Sequence, residues 1–206
     1  MSVYNFTIYD PATNNGFCFL WHEAEGQRGA NEIGSVLYIY LKECLKSSVK
    51  HVVITTDSTV SQNRNHLVAG MLLLAAQTLP LESIEQKFLE TGHTYMEVDS
   101  MHATIDSYRK NLKVYSPLEW PVILQLARRS QPYIVREIER NEFFDLHHLA
   151  KSMNTTSLKT KIPWMKVKCL RVQKGVTDAV EIKEDYDDAY KKVFLKSIIK
   201  MRKKFQ

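Results

Sequence analysis

A chain of 206 residues, 44% hydrophobic and 25% charged, suits one large domain or a core with an appendage, and its composition is that of an ordinary globular protein. There is no apolar window of roughly eighteen residues to span a membrane, and MSVYNFTIYD lacks the basic-then-apolar layout of a secretory leader. Cys18, Cys44 and Cys169 lie too far apart to form a zinc pair, which points to an intracellular, reducing compartment. The net charge of +5, with a pI near 9.0, is mild. Its distribution says more than its sum.

In chain order, Tyr4 to Tyr9 is rich in β-branched and aromatic residues. With the turn residues Asp10-Pro11 and Asn14-Asn15-Gly16, it predicts a hairpin whose second strand is Phe17 to Trp21. Asn31 is placed to cap a helix with Ile33, Val36, Leu37, Tyr40 and Leu41 on one face. His51 to Thr55 reads as a short buried strand that delivers Asp57 at its end. A helix from about Asn65 to Gln77 contains the apolar run Val68 to Ala76, so it is expected inside the protein. Ile84 to Leu89 reads as a strand. Asp99 would cap a helix carrying Met101, Ile105 and Tyr108, and Pro117 would open another running through Arg129. Tyr133 to Ile138 and Met165 to Val172 complete the expected strands. The order predicts an α/β layered domain over residues 1–150, followed by a basic mixed extension over 151–206.

Asp57 is the first candidate for chemistry. A carboxylate leaving the C-terminal end of a buried strand stands where open α/β sheets bind ligands, and its hard oxygens suit Mg²⁺ or Mn²⁺. Gln62, Asn63 and Asn65 follow as candidates to hold substrate or to cap the next helix, and Asp57 itself has a structural alternative as a turn or cap residue. A second group lies on the helix expected from Asp99. There Asp99, His102 and Asp106 fall at i, i+3 and i+7 on one face, with His93 just ahead. Such a face could complete a metal site or supply a general acid or base. The structural alternative is a capping Asp99 and a His102–Asp106 pair. Glu23 is a weaker third acid, with surface charge or a pair with Arg28 as its alternative. No Gly-rich phosphate loop, G-x-S-x-G, H-E-x-x-H or C-x-x-C is present, which leaves triphosphate, serine-hydrolase and zinc-peptidase chemistry without a motif.

Two basic blocks stand near the C-terminus. Lys151 to Gly175 carries seven Lys/Arg and no acid, and so does Lys191 to Gln206, which contributes Lys191, Lys192, Lys196, Lys200, Arg202, Lys203 and Lys204. Such blocks suit a phosphate backbone, or are simply solvated. The acidic stretch Asp178 to Asp188 separates them.

Four ordered motifs go further. Trp21-His22-Glu23, Arg28-Gly29-Ala30-Asn31-Glu32-Ile33, Thr56-Asp57-Ser58 with Gln62-Asn63-Arg64-Asn65, and Gly92-His93-Thr94-Tyr95-Met96-Glu97-Val98-Asp99-Ser100-Met101-His102 together resemble a little-characterised domain of transposon-like metazoan proteins. The likeness continues through Pro117-Leu118-Glu119-Trp120 and Ala127-Arg128-Arg129. It implies a ribonuclease-H-like core of the integrase and transposase kind, a mixed sheet flanked by helices. In such cores acids position divalent ions for phosphodiester cleavage or strand transfer. On this likeness Asp57 and Asp99 would be catalytic metal ligands with Glu23 as a third acid, and His93, His102, Asp106, Gln62 and Asn63 accessory. Family members usually carry an upstream strand with a further acid, so the core is expected to be shortened at its N-terminus. The residues after Asp57 also depart from the pattern, with Ser58-Thr59 in place of the usual Asn-Cys or Ser-Cys and Ser61 in place of glycine.

Two functions follow as expectations. One is a Mg²⁺- or Mn²⁺-dependent nuclease or strand transferase. The other is a non-catalytic nucleic-acid- or protein-binding module, domesticated or a relic. DNA is the expected partner ahead of RNA, with no membrane, a nuclear address on the basic end, and the oligomeric state open.

Overall fold

A computed structural model describes residues 1–90, 95–150, 153 and 156–195. The regular elements begin with β1 (Val3–Asp10), β2 (Asn15–His22), α1 (Ala30–Glu43), β3 (His51–Thr56), α2 (His66–Thr78) and β4 (Ser83–Phe88). They continue with α3 (Glu97–Arg109), α4 (Trp120–Ala127), β5 (Ile134–Glu137), α5 (Leu146–Ala150), β6 (Cys169–Gln173), β7 (Ala179–Lys183) and β8 (Lys191–Phe194). The fold is α/β with mixed sheets, as the alternation of strand and helix patterns predicts. The chain divides into two units, Met1–Arg28 with Tyr95–Phe143, and Gly29–Thr94 with Phe144–Gln206.

In the first unit, β1 and β2 form the expected antiparallel hairpin, and β5 adds parallel to β2. The turn is chemically specified. Asp10 accepts from the Ala12 N–H and the Thr13 hydroxyl, while Asn14 takes a left-handed φ of 57°, a conformation asparagine tolerates. Cys18 and Leu20 of β2 join Met101, Ile105, Leu124 and Tyr133 in one buried cluster, so α3 and α4 cover that face of the hairpin. Gly16 is needed for this closeness, because a Cβ there would lie 2.8 Å from both Met101 Cε and Tyr133 Cδ1. Trp21 donates its indole N–H to the Gln27 carbonyl at 3.0 Å and meets Phe143 edge-on.

In the second unit, β3–α2–β4 is a parallel crossover, and β6, β7 and β8 extend the sheet antiparallel in the order β3-β4-β6-β7-β8. The apolar run of α2 is buried on all sides, as its composition requires: Leu67 to Leu73, Ala75 and Ala76 are all inside. This helix packs on α1 and α5 and over β4 and β6. Gln77 at its last turn holds the β6–β7 connection, accepting from the Gly175 N–H and donating to the Gln173 carbonyl. Gly175 itself has a φ of +80°, which suits glycine.

Several local expectations need correction. Asn31 lies inside α1, whose N-cap is Gly29; its side chain instead accepts from the Leu146 N–H at 2.9 Å and so anchors α5. The helix expected to start at Asp99 starts at Glu97, with Met96 as its N-cap. Residues 117–119 form a 3₁₀ turn before α4, which stops at Ala127. The strand expected from Met165 begins at Cys169, after a 3₁₀ turn over Trp164–Lys166.

Candidate functional site

Asp57 follows β3 as the sequence predicts, and its carboxylate is occupied. Oδ1 accepts from the Thr59 N–H at 3.2 Å and from the Asn63 side-chain amide at 2.6 Å, and Oδ2 accepts from the Thr59 hydroxyl at 2.8 Å. The Thr59 carbonyl in turn accepts from the N–H groups of Gln62, Asn63 and Arg64. Asn65 then caps α2 through the Leu67 and Val68 N–H groups. The loop is therefore a chain of side-chain-to-backbone bonds leading from strand to helix, with Asp57 as its anion. Beneath it Gln86, 1% exposed, donates to Thr56 Oγ1 at 3.3 Å, and Asn63 is 8% exposed. Asn63 Oδ1, Gln86 Oε1 and Arg64 Nε are buried without a partner among the described residues. The structure thus brings Asp57 and Asn63 into contact, and Gln62 stands on the same loop.

The other acids belong to the first unit. Asp99 accepts from the Met96 N–H at 2.8 Å and acts as a helix-start residue, three positions inside the cap. His102 Nε2 lies 3.0 Å from the Thr7 hydroxyl. Asp106 pairs with Arg109 Nε at 3.0 Å, so the His102–Asp106 pair allowed by spacing does not form. Glu23 is exposed just past β2, its N–H donating to the Ser2 carbonyl. His93 lies outside the described residues.

Within their own units Asp57 and Asp99 both take part in protein hydrogen bonds. Asp57 already receives three hydrogen bonds, and Asp99 is committed to its helix terminus. Among the described residues no group of three or more His, Cys, Asp or Glu side chains is placed to hold a metal.

A different set of side chains gathers on the outer face of the second unit's sheet. The register aligns Glu85, Arg171, Glu181 and Lys192 across β4, β6, β7 and β8, and Lys87, Cys169 and Lys183 across β4, β6 and β7. Arg171 pairs with Glu181 at 2.6 Å and Lys87 with Glu85 at 3.4 Å. Tyr190 lies over this face, with the Arg171 guanidinium 3.9 Å and the Lys183 ammonium 4.8 Å from its ring centre. Burial, then the neighbouring Glu85 carboxylate, pushes the Tyr190 phenol well above its ordinary range. Lys192 stands 5.3 Å from the Phe194 ring, which is half exposed, and Lys168 is 5.9 Å from the ring of Tyr186.

Of the basic block named from the sequence, Lys192 lies on this face, Lys191 stands opposite buried Ile182 at the alternate position of β8, and Lys196, Lys200, Arg202, Lys203 and Lys204 lie outside the described residues. Lys87, Lys183 and Tyr190 were missed. Each stands outside the two basic blocks, and only the strand register assembles them. The alternation in Cys-Leu-Arg-Val-Gln and Ala-Val-Glu-Ile-Lys was the available signal.

No described helix is long and apolar enough to cross a membrane. No curated protein and no solved structure matches the chain. Residues 8–185 match the family model described as Domain of unknown function (DUF7869), and the chain belongs to that family.

Proposed function

We propose that this chain is a non-catalytic nucleic-acid-binding module, descended from a transposase with a ribonuclease-H-like core. It meets the phosphate backbone of DNA, in preference to RNA, through the outer face of the β3-β4-β6-β7-β8 sheet. The observation that carries the reading is the convergence of Lys87, Arg171, Lys183 and Lys192 on one sheet face, with Tyr190 held against two of those cations. Cations supply the sequence-independent part of such binding, and the Tyr190 ring holds Arg171 and Lys183 in place on this face. Two of the cations are paired with Glu85 and Glu181, so phosphate must compete for them. Lys183 and Lys192 make no carboxylate pair among the described residues and are the first contacts.

The non-catalytic reading is supported by the engagement of Asp57 in its own loop and of Asp99 in its own helix start, and by the described residues gathering no group of three or more acids, histidines or cysteines for a metal. The test uses the full chain with supercoiled plasmid in Mg²⁺ or Mn²⁺. The plasmid should be retarded on a gel yet stay supercoiled, and the doubly reversed K183E/K192E chain should release it. Nicking that disappears in Asp57→Asn would replace this reading with the nuclease one.

A further inference from the structure

The first unit carries an apolar stripe that its own core does not use. Ser116 caps the 3₁₀ turn Pro117–Glu119, which runs directly into α4. Ile123 and Leu124 of α4 are buried, with Trp120 and Ala127 packed beside the core cluster. The opposite side of the turn and helix is also apolar: Leu118 of the turn and Val122 and Leu126 of α4 are 78%, 55% and 51% exposed. They recur every four residues, so they line one face over about 12 Å. Tyr115, 83% exposed, and Leu112 extend the stripe at its start. A solvated helix face of this size ordinarily carries charge, and three successive apolar positions in the open mark a contact surface.

The charges around it are of one sign. Lys110 and Lys113 precede the stripe and Arg129 follows it; all three are exposed and none forms an ion pair among the described residues. The one acid between Ser107 and Arg136 is Glu119, and its carboxylate is consumed by the Tyr115 and Ser116 N–H groups at 3.1 and 2.8 Å. Arg109 is held by Asp106 and Trp120, and Arg128 by Tyr133 and the Asn14 carbonyl. The surface thus offers apolar contacts at helical spacing, with free cations beyond both ends.

We propose that this stripe is the docking site for an amphipathic α-helix of a partner protein, with an apolar face and acidic residues at its two ends. Leu118, Val122 and Leu126 would meet that face, as in helix-against-groove recognition, and Lys110, Lys113 and Arg129 would pair with the flanking acids. A second copy of this chain fits less well, because its own basic rim would oppose this one. Nucleic acid would satisfy the cations and leave the leucines wet.

The test uses the full chain and a labelled synthetic helix with leucines on one face and glutamates at both ends. Controls are a scrambled peptide of the same composition and a version ending in lysines. The glutamate helix should bind, weaken with salt, and shift amide resonances within residues 110–129. Val122→Ser and Leu126→Ser, both at exposed positions that leave the fold intact, should each weaken binding by roughly tenfold or more, and K183E/K192E on the other unit's sheet should leave it unchanged. The proposal is overturned by equal binding of the scrambled peptide or by no binding of the glutamate helix. It is equally overturned if Leu126→Ser abolishes self-association of the chain, or its sedimentation with phosphatidylserine vesicles, while peptide binding is unaffected.

Discussion

The side-chain amide of Asn63 donates to the carboxylate of Asp57 at 2.6 Å, closing the loop between β3 and α2. That bond ties the most conspicuous acid of the sequence to its own loop. Removing it leaves a buried amide without its acceptor, at a cost of about 1–3 kcal/mol. Asp57→Ala should therefore lower the urea midpoint of the chain, and Asn63→Ala should do so by a similar amount. The double variant should fall short of the sum of the two, since they share one interaction. Additive losses would show that the two side chains act separately.

The core of the second unit depends on α2. Leu72 is fully buried in that helix, so Leu72→Ala should cost about 2–5 kcal/mol. Thermal or urea unfolding measures it. A loss below about 1 kcal/mol would contradict the burial of this helix on all its faces.

Cys18 gives a pH signature. Burial, only partly offset by a hydrogen bond to Asn5, pushes its thiol from 9.0 up to about 12. The folded chain therefore keeps this proton after the unfolded chain has lost it. Stability contributed by the thiol is whole below pH 9.0 and falls as pH rises through the window to about 12, by about 1.4 kcal/mol per pH unit. Comparing wild type with Cys18→Ala between pH 8 and 11 isolates the slope. At pH 8 the folded thiol should also resist alkylation and react once the chain is unfolded.

Much of the fold was legible because local chemistry and burial agree. The hairpin was announced by Asp10, Asn14 and the aromatic strands around them, and α2 by an apolar run too long for a surface helix. β7 and β8 escaped because Ala-Val-Glu-Ile-Lys and Lys-Lys-Val-Phe are short and charged, and take their strand character from pairing with β6 and with each other. The candidate acids illustrate a different limit. Spacing put Asp99, His102 and Asp106 on one helical face correctly. It could not foresee that the Met96 N–H, Thr7 and Arg109 would claim them one by one. Asp57 was placed correctly at a strand end, and the turn reading of that position describes the hydrogen bonds it makes.

The central claim is tested most directly by fluorescence anisotropy of labelled DNA titrated with the full chain at several salt concentrations. The binding constant should fall steeply with salt, with a log–log slope of about 0.9 per phosphate contacted on a duplex. K183E/K192E should weaken binding and flatten that slope by roughly two contacts, while Asp57→Asn leaves both unchanged. Binding indifferent to salt and to reversal of Lys183 and Lys192 would contradict the account.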